Sequence, residues 1–81
     1  MLLVYTLPNC PACENLKNRL VKYNVEFSEV LIGEMITRER VLSMFPGART
    51  APIVVEMGGS QPMNEQEITQ YLNERLLLEN G

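Results

Sequence analysis

Histidine is absent from this chain, and cysteine occurs only twice, as Cys10 and Cys13. A zinc site needs four soft ligands, so a metal here would require a dimer or a partner protein. Basic residues are also scarce: seven lysines and arginines against ten acidic residues leave a net charge of −3. With no basic stripe and no interleaved aromatics, this balance argues against nucleic acid as a partner. No apolar run approaches the length of a membrane span. The N-terminal run has no basic residue before it and soon meets Pro8, so it does not read as a targeting segment. No internal repeat, low-complexity stretch or interdomain linker is visible. The expectation is one domain, residues 1–81, with no membrane contact. Two cysteines in a chain without a signal segment point to the reducing cytoplasm, where a disulfide is transient and catalytic.

The informative stretch is Pro8-Asn9-Cys10-Pro11-Ala12-Cys13. A strand-like apolar run, Leu2 to Leu7, leads into it, and an amphipathic helical pattern, Glu14 to Tyr23, leads out. Cys10 reads as the helix N-cap and Pro11 as the first helical residue, where a missing N–H costs nothing. The Cys10 sulfur then faces the free N–H groups of Ala12 and Cys13. Those donors and the positive helix end favour a thiolate, so Cys10 should titrate below the free-thiol value of about 8.5. Cys13 lies one turn on, within disulfide reach. Cys10 is expected to be the exposed nucleophile and Cys13 the buried resolving thiol. Half a zinc site, an inert disulfide or chance are the competing readings. An inert disulfide would constrain little across so short a loop. Two cysteines spaced this way at a strand-to-helix junction are a redox signature.

The chain in order reads β-α-β-α-β-β-α. Residues 2–7 suit a central strand buried on both faces. The first helix runs from Pro11 to about Tyr23, with Cys13, Leu16, Leu20 and Tyr23 inward. Lys17, Arg19 and Lys22 are expected on a solvated face, and Asn24 as the stop. Val25 to Ile32 reads as the second strand, broken by Gly33. Thr37 caps a short helix with Val41, Leu42 and Phe45 inward, ended by Pro46-Gly47. Ile53 to Met57 is a third strand. Gly58-Gly59 signals a two-residue hairpin, and Ser60 to Pro62 a fourth, edge strand. Asn64 and Glu67 form a capping box for the last helix, with Met63 and Ile68 as its staple and Ile68, Tyr71, Leu72 and Leu76 inward. A right-handed parallel crossover followed by a hairpin gives a four-stranded mixed sheet, with three helices on its two faces.

At this point the chain resembles a glutaredoxin, of the thioredoxin-like α/β superfamily and of the compact type found in bacteria and their viruses. Tyr5-Thr6, Cys10-Pro11-Ala12-Cys13, Thr50-Ala51-Pro52 and Gly58-Gly59 carry the resemblance. It implies that Pro52 lies beside the cysteines with a cis Ala51-Pro52 bond. It also implies that the Ala51 main chain pairs, strand-like, with the cysteinyl part of a substrate. Pro11 and Thr50 belong to the same implied binding surface. The implied activity is dithiol–disulfide oxidoreduction of protein disulfides or glutathione mixed disulfides. Ribonucleotide reductase is one implied client, glutathione or a thioredoxin reductase the electron source, and no tightly bound cofactor is needed. The working unit is expected to be a monomer. An iron–sulfur or zinc carrier and a non-enzymatic adaptor are the alternatives.

Three residues depart from the family pattern. Ala12 stands where an aromatic is usual, and Leu7 where a basic residue often meets the glutathione glycine carboxylate. Met63-Asn64 occupy the place of a glycine pair that exposes backbone to the γ-glutamyl end. The remaining candidates for the two carboxylates are Arg49, the cation nearest the Thr50–Pro52 loop in sequence, and the free N–H groups around Asn64 and Glu65.

Overall fold

The computed structural model describes residues 1–48 and 50–80, with side chains through Arg75. Among them the elements are β1 (Leu2–Thr6), α1 (Pro11–Lys22), β2 (Phe27–Leu31), α2 (Arg38–Met44), β3 (Ile53–Glu56), β4 (Pro62–Met63) and α3 (Glu65–Asn80). The sheet order is β2-β1-β3-β4, with β1 parallel to β2 and antiparallel to β3, and β4 antiparallel to β3. This is the thioredoxin-like mixed sheet.

Strand alternation divides the core in two. From β1 and β3, Leu2, Val4 and Val54 meet Leu16 and Leu20 of α1 and Ile68 and Leu72 of α3. On the other face, Tyr5, Ile53 and Val55 meet Val41 and Phe45 of α2. The Tyr5 and Phe45 rings pack edge to face with centroids 5.4 Å apart, which docks the short helix. So α1 and α3 cover one face and α2 covers the other, with β1 buried on both. Leu20 is fully buried, a burial worth roughly 2 kcal/mol.

The local start and stop signals act where they were read. The Thr37 side chain accepts from the Arg40 N–H at 3.2 Å. Asn64 and Glu67 cap each other reciprocally, at 2.8 and 3.0 Å. Asn24 at φ 57 and Gly33 at φ 100 adopt the left-handed backbone that ends α1 and the β2 edge.

Several expectations need correction. Pairing in β2 is confined to Phe27–Leu31, and Val25 and Ile32 are core residues flanking it. β3 stops at Glu56, because Met57 enters the turn with Gly58 at φ 88. The fourth strand is Pro62–Met63, not Ser60–Pro62, so the connection is longer than a two-residue hairpin. Met63 packs against the α1–α3 core, and that burial draws the pairing toward the helix. Leu42 does not point inward; it is 49% exposed. Only Val41 and Phe45, four apart, share the sheet-facing stripe of so short a helix. Lys17 and Arg19 are not simply solvated: both are held in ion pairs. Leu76 lies outside the described side chains.

Candidate active site

The end of β1 delivers the chain to the cysteines through a tight turn. Asn9 has φ 56, a left-handed conformation that asparagine tolerates, and it reverses the backbone into Cys10. Cys10 is the extended N-cap of α1 and Pro11 its first residue. The Cys10 sulfur accepts from the Cys13 N–H at 3.2 Å, the position of a capping serine oxygen. Of the two donors expected, only that of Cys13 is engaged.

The two sulfurs are bonded to each other, with the Cα atoms 5.2 Å apart, so this is the oxidised form. Their surroundings differ. Cys13 is 1% exposed, packed on the sheet side of α1, whereas Cys10 is half-buried and Pro11 and Ala12 are exposed. A reagent approaching the turn therefore meets Cys10 first.

Strand register gathers the other candidates at the same end of the sheet. Tyr5 lies opposite Ile53 in the antiparallel β1–β3 pair. Pro52 and Ala51 immediately precede Ile53, at the end where β1 finishes with Thr6. The Ala51–Pro52 bond is cis, and both residues are half-buried. Leu7, Thr50 and Ala51 line one cavity. In the β3–β4 pair Met63 lies opposite Val54, so Asn64 and Glu65 reach this end as well. Asn64 borders a different depression, lined also by Pro46, Gly47 and Ala48. Arg49 lies outside the described residues.

The N-terminus of α3 is already largely occupied. The capping box consumes the N–H groups of Asn64 and Glu67, which leaves those of Glu65 and Gln66 for an anion. The Glu65 carboxylate accepts from Arg19 of α1 at 2.7 Å.

One polar group beneath the turn was not expected. Thr6, 1% exposed, donates its hydroxyl to Glu29 Oε2 at 2.7 Å. Lys17 Nζ donates to the same oxygen at 2.8 Å and pairs with Glu14 at 3.0 Å. The bond from Lys17, then that from Thr6, holds the Glu29 carboxyl below its ordinary range. The bonds to Glu29 and then Glu14 hold the Lys17 ammonium above its own. This chain of contacts ties β1, β2 and α1 together directly under the cysteine turn. The one sequence signal for it was a threonine closing an otherwise apolar central strand.

The glutaredoxin family profile matches residues 2–59. The crystal structure of the glutaredoxin from Archaeoglobus fulgidus is similar, with a TM-score of 0.61 and 26% identity over 85% of this chain and 82% of that one. No curated protein sequence matches this one.

Proposed function

Because the chain belongs to the glutaredoxin family, we propose that it is a dithiol–disulfide oxidoreductase with Cys10 as nucleophile and Cys13 as resolving thiol. The observation that carries this reading is the Cys10 cap. Its sulfur is the accessible one and accepts a hydrogen bond from a helix N-terminal N–H, which stabilises negative charge as a thiolate forms or departs.

The cycle balances in sulfur and electrons. The Cys10 thiolate attacks one sulfur of a substrate disulfide; that bond breaks, and one half of the substrate leaves as a thiolate. The Cys13 thiolate then attacks Cys10, and the second half leaves. Two electrons have passed to the substrate, and the protein holds the Cys10–Cys13 disulfide. Two thiol equivalents from a reductant reverse these steps. The donor that favours charge on Cys10 also makes it a good leaving group in the second attack. We assign Pro11, Thr50, Ala51 and Pro52 to the binding surface around the point of attack. The half-buried Ala51 main chain is the backbone edge on which an extended substrate pairs.

Glutathione is the reductant we assign, with weak binding. The α3 terminus offers it two free N–H groups, but Glu65 and Glu67 place carboxylates beside them. Leu7 provides no donor. Arg49 is the cation proposed for a glutathione carboxylate. The compartment is the reducing cytoplasm, and ribonucleotide reductase is one candidate client among protein disulfides.

The test uses Cys13→Ser and Cys10→Ser on a mixed-disulfide substrate. Cys13→Ser should retain the first attack and accumulate mixed disulfide, and Cys10→Ser should lose both steps. Equal loss in the two variants would remove the distinction between nucleophile and resolver. A coupled assay comparing glutathione with thioredoxin reductase identifies the electron source. Arg49→Ala, and Met63→Gly with Asn64→Gly, show whether the departures weaken glutathione turnover.

A further inference from the structure

Beside Ala51 lies a cavity of about 60 Å³ whose walls are mainly carbon: Leu7, Val41, Leu42, Ala48, Ala51 and Ile53. Val41 and Ile53 are buried at its floor, and Leu42 stands 49% exposed at its side. Among the described residues the polar contributors, Arg38 and Thr50, are exposed residues at its mouth. Roughly 10–15 Å³ on this measure holds a single water, which needs two to four polar partners. This space holds several waters and offers them few partners. It is the right size for one branched aliphatic side chain, and burying such a group there is favourable.

Its position names the occupant. The cavity shares Ala51 with the backbone edge on which a substrate pairs, and Leu7 lies in the segment leading to Cys10. An extended chain advances about 3.3 Å per residue. A residue adjacent or next-adjacent to the substrate cysteine therefore reaches the opening. We propose that this cavity selects protein disulfides whose reacting cysteine has an aliphatic residue within two positions of it. Glutathione carries only glycine and a γ-linked glutamate beside its cysteine and has no aliphatic side chain to place here. The proposal rests on the oxidoreductase reading above and names the substrate class of that site.

The experiment measures the second-order rate at which the pre-reduced protein cleaves short peptides, each with its cysteine in a disulfide with 2-mercaptoethanol. One peptide has only glycine around the cysteine. Four others place a single leucine at each of the two positions on either side. At least one leucine peptide should react about tenfold faster than the glycine peptide, as expected for an aliphatic group filling an apolar pocket. In Leu42→Lys and Leu7→Lys that ratio should fall to near one. A ratio taken within one preparation does not depend on how much of it is folded. Val21→Lys, on an exposed position of α1, should leave the ratio unchanged. Leucine and glycine peptides reacting alike, or a ratio that survives Leu42→Lys, would overturn the proposal while leaving the oxidoreductase reading intact. If no disulfide is cleaved, including hydroxyethyl disulfide, both fall. A dimer that Leu42→Lys dissolves would assign the cavity to a second copy of the chain and overturn the proposal as well.

Discussion

Replacing Thr6 with valine tests the polar link beneath the cysteine turn. The two side chains have nearly the same shape, so the cavity term is small and the change removes one hydroxyl. Thr6 is 1% exposed, and its hydroxyl donates to the Glu29 carboxylate at 2.7 Å. A hydrogen bond to a charged group contributes about 1.5–3 kcal/mol. Glu29 is still partly open to water and keeps its bond to Lys17, so the lower end, about 1.5 kcal/mol, applies. At about 2.1 cal/mol/K per residue, the 81-residue chain unfolds with an entropy near 0.17 kcal/mol/K. The expected fall in Tm is therefore about 9 °C, read by circular dichroism near neutral pH. The pH dependence identifies the partner. The folded state holds Glu29 below its ordinary value of 4.5, so its contribution is present above that value and is lost as pH falls through the depressed one. The gap between parent and Thr6→Val should thus narrow in acid. A fall in Tm of less than about 2 °C, or a gap of equal size in acid and at neutrality, would refute the assignment of the bond to ionised Glu29.

Other consequences are open to direct measurement. In the reduced protein, iodoacetamide should label Cys10 before Cys13, since Cys13 is 1% exposed; peptide mapping after a short exposure reads this, and the reverse order would contradict the helix register. Asn64→Ala should cost about 1 kcal/mol, or about 6 °C in Tm, because the Glu67 N–H loses its Asn64 side-chain acceptor. Lys17→Met should remove a contribution present below the ordinary lysine value of 10.5 and lost as pH rises through the raised one. Parent and Lys17→Met stability curves should therefore converge at alkaline pH, and a constant offset would show that the ammonium is not the group involved.

Signals that act within a few residues were legible in the sequence. Cys10, Pro11 and Cys13 specify a capped helix start by their own chemistry, and Asn64 with Glu67 does the same for α3. The element order and mixed sheet followed from these stops and from the strand periods. Features that depend on which segments meet were not legible. Leu42 was assigned inward because it is apolar, but a seven-residue helix offers the sheet only a narrow stripe, and Val41 and Phe45 fill it. The Thr6–Glu29–Lys17 contact requires the parallel β1–β2 register and the phase of α1 together. Arg19 and Glu65 are 46 positions apart, and nothing local joins them.

Strand direction explains why the candidate site assembles at one end of the sheet. β1 runs toward that end and stops at Thr6, four residues short of Cys10. Because β3 is antiparallel to β1, its first residue, Ile53, lies at the end where β1 finishes, so the loop feeding it is Thr50-Ala51-Pro52. Because β4 is antiparallel to β3, its last residue, Met63, returns to that end and hands over to Asn64. Three junctions far apart in sequence become neighbours through two reversals of strand direction, neither of which any one junction encodes. The parallel β2 leaves at this end too, and the chain continues past Gly33 to α2, which brings Leu42 to the rim of the cavity beside Ala51. The proposed chemistry and selectivity are thereby divided between the faces. The helix whose N-terminus caps the Cys10 sulfur lies on the α1–α3 face, and the helix that walls the cavity beside Ala51 lies on the other. On the proposed reading, changes in Leu42 should alter which disulfide is chosen without touching the Cys10 cap.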